Sequence, residues 1–207
     1  MLHVIIIFIM TFAIRDCTPV DAPALNDICL KTGDSGADAT ALFKDPDLLG
    51  LYYAAPYVII EPESGLVLTH AGDPCGYILG AKDTLAFRER CERDYFPALR
   101  EKYPLPPAND LSHDANMIRA IHRGIDMNEV FKDYPAHLHI DIMPMAQKYG
   151  FGRKLMEAFM ARMKAKSVKG VHLGVGANNL NAIAFYERMG FHRVVTHDTW
   201  IGYGIFL

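Results

Sequence analysis

The segment from residue 137 to residue 175 restricts the fold of this chain more than any other part of its sequence. HLHIDI (137–142) has the length and the residue types of a β-strand. Apolar residues at three- and four-residue spacing follow it and predict a long helix over 153–168. VHLGV (171–175) again has the composition of a strand. A strand, a helix and a strand in this order are typical of a fold in which helices cover a sheet.

The other segments extend this pattern in both directions. A strand near 10–16 leads to a helix that starts at Thr18-Pro19-Val20-Asp21, where threonine can cap and proline suits the first turn, and that ends at Gly33. One more helix, around 182–189, ends at Gly190. Further strands are predicted for the apolar segments PYVII, GLVLTHA, PCGYILGA and TWIGYGIFL. This order predicts an α+β fold in three layers, with a mixed, mostly antiparallel central sheet flanked by helices.

Residues 83–130 form a helical block between the strands. A helical stretch stops near Pro97, a cluster of prolines follows, and a short helix capped by Ser112 ends at Gly124. We predict that this block is an insert in a single domain of residues 1–207, and that it shapes one wall of a binding pocket.

Composition and charge exclude several function classes. A formal net charge of −3 gives no indication of binding to nucleic acid or to a membrane. The four cysteines are scattered without a C-x-x-C pair, so we expect free buried thiols and a reducing, cytoplasmic location. The N-terminal run MLHVIIIFIMTFAIRD is too short to span a bilayer and lacks the basic start of a signal peptide, so we expect an edge strand or an extended start there.

Two glycines, Gly150 and Gly152, stand directly before the helix over 153–168. The first amides of a helix have no partner within it, and they attract phosphate. The backbone N–H groups of 148–153 could therefore converge on a pyrophosphate, with Lys148, Arg153 and Lys154 adding positive charge. The pattern is neither the dinucleotide-binding fingerprint nor a P-loop, and by itself it is also compatible with an ordinary turn.

Two motifs resemble the signatures of one enzyme superfamily. Gln147-Lys148-Tyr149-Gly150-Phe151-Gly152 is similar to Q/R-x-x-G-x-G/A. The segment from Asn179 to Phe191 is similar to N-x-x-A-x-x-x-Y-x-x-x-G-F. Both motifs, in this order, resemble the GCN5-related N-acetyltransferase (GNAT) superfamily, and the predicted strand order over 10–207 agrees with its fold.

A narrower resemblance concerns CGYILGAKDTLAFRERCERDYFPALREKY, followed later by PAHLHIDI. These segments are similar to the acetyltransferase-like C-terminal domain of animal O-GlcNAcase. That domain lacks the glycine loop and looks like a pseudo-acetyltransferase, whereas the loop is intact here. The chain has no room for a glycosidase portion, so it looks like a free-standing bacterial-type relative that still binds acetyl-CoA.

The superfamily resemblance implies a binding mode for acetyl-CoA. The strand before the glycine loop would contact the pantetheine arm through the backbone of Ile142 and Met143. The amides around the loop would hold the pyrophosphate. The cofactor-binding residues implied in this way are Ile142, Met143, Gln147, Lys148, Tyr149, Gly150, Phe151, Gly152, Arg153, Lys154, Asn179, Ala182 and Phe185.

The resemblance also implies catalytic residues for direct transfer of acetyl to an amine. Tyr186 matches the tyrosine that protonates the leaving thiolate, although a buried aromatic with a satisfied hydroxyl is the alternative. A strand N–H near Ile142 would stabilise the oxyanion. Asp141 is the candidate base or substrate anchor, with His139 as a second candidate.

His137, His139 and Asp141 alternate along the predicted strand, so they share one face. H-x-H-x-D could also be a metal site, but no fourth ligand is identifiable and the superfamily needs no metal, so we predict none. A hydrogen-bonded cluster on a half-buried strand is the third interpretation. His172, on the next strand, is a weaker candidate and is expected to be structural.

Two functions remain compatible with these residues. The first is an acetyl-CoA-dependent N-acetyltransferase acting on an unidentified primary amine through a ternary complex. The second is a catalytically silent module that binds acetyl-CoA or another protein, and a nucleotide-binding protein of another class is disfavoured by the late position of the loop. The apolar C-terminal strand could pair across a homodimer.

Overall fold

The computed structural model describes residues 11–207, so the expectation for residues 1–10 lies outside the described part. Seven strands of this part form one sheet in the order β1-β2-β3-β4-β5-β7-β6. Neighbouring strands are antiparallel except β4 and β5, which are parallel. The strands are β1 (Phe12–Asp16), β2 (Leu66–His70), β3 (Asp73–Ala81), β4 (Ala136–Ile142), β5 (Gly170–Gly176), β6 (His192–Thr196) and β7 (Trp200–Phe206).

Helices cover both faces of the sheet, as the predicted α+β three-layer architecture requires. They are α1 (Ala22–Thr32), α2 (Leu48–Tyr53), α3 (Ala55–Ile60), α4 (Thr84–Asp94), α5 (Phe96–Lys102), α6 (His113–Arg123), α7 (Phe151–Ala165) and α8 (Leu180–Arg188). The first six pack together on one face, and α7 and α8 lie on the other. No helix of residues 11–207 is long and apolar enough to cross a membrane.

The first helix begins as its sequence predicts. Thr18 and Asp21 form a capping box, in which the Asp21 carboxylate accepts hydrogen bonds from the backbone N–H and the hydroxyl of Thr18 at 2.8 and 2.9 Å. The guanidinium of Arg15 donates to both oxygens of Asp21, at 2.6 and 2.9 Å. This cluster ties the end of β1 to the start of α1.

The prediction of a strand at PYVII is wrong, because residues 55–60 form α3. A short apolar run does not distinguish a strand from a buried helix, and here Pro56 occupies the first turn, where its missing N–H costs nothing. Tyr57, Val58 and Ile60 are buried on three sides of α3, against α1, α4 and β3. Packing therefore overrides the strand preference of the β-branched residues.

The block over 83–130 contains α4, α5 and α6, and α6 runs from the Ser112 cap to Gly124 as predicted. The first helical stretch ends near Pro97 as predicted, since α4 ends at Asp94, but α5 follows directly and has that proline in its first turn. Phe87, Phe96 and Ile121 of this block are fully buried in the same core as α1 and α3. The single domain with an insert stays a prediction, and this shared core supports it.

The C-terminal segment contains one strand more than predicted. β6 forms the edge of the sheet, and β7 lies between β5 and β6. Both edges of β7 are therefore paired, so the idea that this strand pairs across a homodimer is wrong. The exposed edges of the described sheet belong to β1 and β6.

Candidate functional site

The sheet opens in its middle, between β4 and β5. These strands pair only at two positions, Ala136 with Val171 and His137 with His172, and then separate. The N–H of Met143 donates to Cys75 of β3 at 2.9 Å. Since alternate residues of a strand point their amides to opposite sides, the N–H groups of Ile140 and Ile142 face the gap.

A cavity of about 1430 Å³ runs through this gap. At one end it is lined by the glycine loop and by α8. At the other end it is lined by the loop after α1 and by α2, with His113 and Met117 of α6. The predicted insert therefore contributes only part of this second wall, and Tyr53, Phe43, Leu49 and the loop over 32–37 contribute much of the rest.

The glycine loop contains two residues in left-handed backbone conformation. Gly150 has φ +80° and is the N-cap of α7, and Lys148 has φ +67°. A left-handed lysine costs about 1–2 kcal/mol, a strain that is typical of functional loops. Such turns direct successive N–H groups into a concavity that binds anions. The side chain of Gln147 donates to the carbonyl of Ile142 at 2.8 Å and so joins the loop to β4.

The positive side chains near this loop divide into two groups. Lys148, Arg153 and Arg188 line the cavity, and Arg153 also forms an exposed ion pair with Glu157 at 3.4 Å. The ammonium of Lys154 instead lies over the ring of Phe151, 5.3 Å from its centroid. The cavity therefore has a cationic end in a chain of net charge −3.

The aromatic residues of the loop turn away from the cavity. The rings of Tyr149 and Phe151 pack against Phe12 of β1, at 5.9 and 4.7 Å between centroids. Only the backbone of these residues is available for the predicted pyrophosphate contact. Both backbone groups of Met143 are also engaged, the N–H with Cys75 and the carbonyl with Ala146, so Ile142 is the better candidate for contact with an arm in the gap.

The second motif forms the far wall of the gap. The side chain of Asn179 caps α8 by accepting from the N–H of Ala182 at 3.1 Å. Asn179, Ala182 and Phe185 all line the cavity. A β-carbon on Gly152 would lie 3.5 Å from the ring of Phe185, so the start of α7 and α8 approach closely across the gap.

Tyr186 lies in the core beneath this wall, against Phe185, Phe191 and Tyr203. Its side chain is buried, and burial, assisted by the charge of Asp141, raises the pKa of its hydroxyl well above the usual value. Every buried side-chain nitrogen and oxygen in residues 11–207 has a hydrogen-bond partner. The Tyr186 hydroxyl has none within the described chain, so it must reach the cavity, which the residue lines.

Asp141 lies opposite Tyr77 in the β3–β4 register, and the Tyr77 hydroxyl donates to its Oδ2 at 2.5 Å. Burial raises the pKa of the Asp141 carboxyl, and the hydrogen bond from Tyr77 opposes this shift. The hydroxyl of nearby Thr32 donates to the carbonyl of Ile28 at 2.7 Å. The Thr32 side chain also opposes the rise in the pKa of Asp141, and Asp141 lines the cavity.

The two histidines of β4 share the face of Asp141, as the alternation predicts. Nε2 of His137 lies 2.7 Å from the Tyr57 hydroxyl, and Nε2 of His139 lies 3.1 Å from the same hydroxyl. Nδ1 of His137 lies 2.8 Å from Oγ1 of Thr84. Burial lowers the pKa of both histidines, that of His139 to about 4. Three of the four ring nitrogens are thus used in protein hydrogen bonds, as the hydrogen-bonded-cluster interpretation expects.

Three further predictions concern a metal site, the role of His172 and the state of the cysteines. In the part of the chain with described coordinates, no group of three histidine, cysteine or carboxylate side chains could hold a metal ion. His172 donates through Nδ1 to the carbonyl of Tyr134 at 2.6 Å and stacks on Phe131, which fits the expected structural role. The cysteines are buried free thiols, as predicted: Cys17, Cys29, Cys75 and Cys91.

Three residues of this site were not found from the sequence. Tyr53 and Tyr57 come from a segment whose second half is predicted as a strand, and Tyr77 lies within a buried strand without any motif. Tyr77 lies 64 residues from its partner Asp141, and Tyr57 lies 80 residues from His137. Only the β3–β4 register could have indicated Tyr77, because it places that residue directly opposite Asp141.

Comparison with known proteins agrees with this geometry. The model of the acetyltransferase (GNAT) family matches residues 40–191. Protein O-GlcNAcase of Rattus norvegicus is 24% identical over 182 residues, which are 86% of this chain and 20% of that protein. The mouse protein, from Mus musculus, matches with the same identity and coverage. The chain thus spans about a fifth of the length of these curated relatives.

Solved structures match over almost the whole chain. The crystal structure of SsHAT has a TM-score of 0.90 and 36% identity, and the match covers 95% of this chain and 98% of that one. PH1933 from Pyrococcus horikoshii OT3 has a TM-score of 0.61 at 15% identity, with 95% and 99% coverage. The structure of yncA, a putative acetyltransferase from Salmonella typhimurium with its cofactor acetyl-CoA, has a TM-score of 0.54 at 14% identity, with 95% and 94% coverage.

Proposed function

Since this chain belongs to the acetyltransferase (GNAT) family, we propose that it transfers the acetyl group of acetyl-CoA to a primary amine by direct attack in a ternary complex. The observation that carries the proposal is the opening between β4 and β5, which joins an anion-binding loop to a buried carboxylate in one cavity. The acetyl-CoA bound to the structural relative yncA supports the choice of cosubstrate. A cytoplasmic location and a homodimer remain predictions.

The residues at the loop end fit a diphosphate. The N-terminus of α7 has free amides and a positive partial charge, and Gly150 leaves the space above its α-carbon open to 4 Å. Lys148 and Arg153 add full charges on the same side of the cavity. In the gap, the N–H of Ile142 can donate to an amide carbonyl of the pantetheine arm, while Ala182 and Phe185 cover its other side.

The position of Ile142 also suits the developing charge in acyl transfer. As the amine attacks, negative charge grows on the acetyl oxygen, and a fixed backbone donor stabilises it without reorganisation. The N–H groups of Ile140 and Ile142 are the donors of β4 that face the gap. Which of the two serves the acetyl oxygen depends on how deeply the thioester enters the gap.

The raised pKa of Tyr186 defines what this residue can do for the leaving sulfur. A phenol has a pKa of about 10 even in water and a thiol about 8.5, so full proton transfer from Tyr186 to the thiolate is uphill. A hydroxyl that stays protonated remains a good hydrogen-bond donor, however. We therefore assign Tyr186 the task of stabilising the thiolate by a hydrogen bond, with the attacking nitrogen as the final source of the proton.

Asp141 is placed to receive the acceptor. An amine on an alkyl stem carries a proton at neutral pH, since its pKa is about 10. The carboxylate of Asp141 can pair with this ammonium or take its proton, and the raised pKa of the carboxyl favours the second step over an ordinary aspartate. The ring of Tyr53, which lines this end of the cavity, offers an apolar wall for the stem.

The test is a thiol-release assay with acetyl-CoA over a panel of amines. Asp141→Asn should lower kcat on the order of 10²-fold or more, as expected for a group in acid–base chemistry. Tyr186→Phe should lower kcat on the order of 10²-fold, as expected for a lost hydrogen-bond donor to developing charge. Tyr203→Phe is the matched control, because it removes a hydroxyl that binds Glu187 and Arg193 outside the cavity, and it should retain wild-type turnover. If acetyl-CoA binds in calorimetry but no amine is acetylated, the chain is a silent binding module instead.

A further inference from the structure

A chain of hydrogen bonds runs beneath β4 from His139 into the helical layer. His139 contacts the Tyr57 hydroxyl, Tyr57 contacts His137, and His137 contacts Thr84, with donor–acceptor distances of 3.1, 2.7 and 2.8 Å. Thr84 ends the chain at the carbonyl of Pro135, 2.8 Å away. Tyr57 and Thr84 belong to α3 and α4, so three elements meet in this chain.

The last hydrogen bond of this series, from Thr84 to Pro135, determines which atom is the donor in each of the others. Two oxygens 2.8 Å apart repel each other unless a proton lies between them, so the hydroxyl proton of Thr84 belongs to the bond with Pro135. Thr84 must then accept from Nδ1–H of His137. A neutral imidazole has one N–H, so Nε2 of His137 accepts the proton of the Tyr57 hydroxyl. Tyr57 in turn accepts from Nε2–H of His139.

Both imidazoles are in the neutral state that this derivation needs. His137 is buried, and burial together with the charges of His172 and His139 lowers its pKa well below the usual range. Burial, followed by the charge of His172, lowers the pKa of His139 to about 4. Each ring therefore carries one proton at neutral pH, on Nδ1 in His137 and on Nε2 in His139.

From this direction we infer that Tyr57 is a positioning residue, which holds His139 in the Nε2–H tautomer and leaves the lone pair of its Nδ1 facing the cavity to accept the N–H of the acceptor amine. Nδ1 has no protein partner in the described part of the chain, whereas every buried polar side-chain atom there has one, so Nδ1 is accessible. His139 lines the cavity two residues from Asp141, on the same face of β4. The inference rests on the proposed amine acetylation.

The arrangement gives His139 and Asp141 separate tasks. The carboxylate of Asp141 attracts the ammonium and can take its first proton. A neutral amine keeps two N–H groups, and a fixed imidazole acceptor that binds one of them orients the nitrogen lone pair toward the thioester. If the tautomer were the opposite one, His139 would present an N–H to the amine and compete for that lone pair.

The first test needs no turnover. Side-chain ¹⁵N NMR of the wild-type protein distinguishes protonated from unprotonated imidazole nitrogens, and the signals of His139 are assigned by their loss in His139→Gln. We expect Nε2–H with a bare Nδ1. Nδ1–H in the wild-type protein would overturn the inference and would leave the proposed acetyltransferase activity untouched.

The second test changes Tyr57 to Phe, which keeps the ring stacked on Phe87 at 4.5 Å and removes only the hydroxyl. We expect a mixture of His139 tautomers, a fall in kcat of about tenfold or more, and little change in the KM of acetyl-CoA. Tyr52→Phe is the matched control, because it deletes another buried hydroxyl, the donor to Gly124, on the adjacent helix α2.

The comparison between the two variants separates positioning from structure. Equal losses of kcat in Tyr52→Phe and Tyr57→Phe, or an unchanged tautomer and kcat in Tyr57→Phe, would overturn the positioning role. Should Tyr57→Phe fail to fold, Thr84→Val can be used instead, since it removes the hydroxyl that accepts from His137 at the other end of the series of hydrogen bonds. It should loosen the same tautomer preference at His139, and an unchanged preference in this variant would equally count against the inference.

Discussion

Alanine at Gly150 should destabilise the free protein and alanine at Gly152 should not, although the two glycines are only two residues apart. Gly150 has φ +80°, and nothing lies within 4 Å of an added β-carbon, so the change introduces backbone strain without a clash. Gly152 lies within the first turn of α7 in ordinary helical conformation, and its added β-carbon would lie 3.5 Å from Phe185 and 3.7 Å from Ile142, at normal contact distance.

The magnitudes follow from these geometries. A left-handed alanine costs about 1–2 kcal/mol, offset by about 0.4–1 kcal/mol from a less flexible unfolded chain. For a chain of this size a net loss near 1 kcal/mol lowers Tm by about 2–4 °C. Gly152→Ala removes no contact and gains up to ~1 kcal/mol of helix propensity, so its Tm should stay constant or rise. Its methyl group narrows the approach to the α7 amides, however, and the loss of one charge-assisted hydrogen bond of about 1.5–3 kcal/mol weakens acetyl-CoA binding ~10- to 150-fold.

Thermal unfolding of the free protein and calorimetry with acetyl-CoA measure the two effects separately. Gly72→Ala is the strain control, since Gly72 has φ +97° with open space around it, in the hairpin between β2 and β3 and outside the cavity. It should lower Tm about as much as Gly150→Ala and leave affinity unchanged. Wild-type affinity in Gly152→Ala would refute the close approach of a diphosphate to this turn, and an undiminished Tm in Gly150→Ala would refute the need for a left-handed residue.

Two further predictions concern charged groups. Asp21→Asn should lower the free energy of unfolding by about 1–2 kcal/mol at pH 7. The hydrogen bond from Arg15, with those from Thr18, lowers the pKa of Asp21 from 3.8 to about 2, which corresponds to ~2.5 kcal/mol. We expect less than this value because the Arg15 side chain is 40% exposed and water screens the pair. Because the pKa of Asp21 is lower in the folded state, this stabilisation is present above pH 3.8 and is lost as the pH falls toward 2. In urea unfolding, the stabilities of the mutant and the wild type should therefore converge in acid. The control Asp27→Asn, which removes an exposed pair with Lys31, should change stability little at neutral or acid pH. Arg153→Gln should weaken acetyl-CoA binding and reduce its dependence on salt in calorimetry, while Arg123→Gln, which removes an exposed pair with Asp126 away from the cavity, should do neither.

Local patterns in the sequence identified the elements that carry the site. The glycines of the loop, the apolar stripe of α7 and the motif that starts at Asn179 are short-range features, and each is determined by backbone conformation or by helical periodicity. The same kind of signal located the Thr18 cap and the end of α1 at Gly33. These positions could be predicted because the physics that fixes them acts within one turn of the chain.

The sequence predictions failed where contacts between residues far apart in the chain determine the local structure. PYVII has strand propensity, yet its burial among other helices makes it helical, and β6, a partly exposed edge strand with a bulge between Arg193 and Val195, has no continuous apolar run. The partners of the β4 side chains, Tyr57 and Tyr77, lie 80 and 64 residues away along the chain, and only the tertiary fold brings them to β4. No local pattern could connect them with His139 or Asp141.

The short pairing between β4 and β5 has a consequence for the lifetime of the protein. Two residue pairs join the four-stranded half of the sheet to the three-stranded half, so the backbone pairing across the middle of the sheet is short. A cosubstrate bound along Ile140 and Ile142 would bridge the two halves of the sheet, and it would stabilise the native state by an amount that grows with the logarithm of its concentration. Resistance to proteolysis would then rise with the concentration of acetyl-CoA.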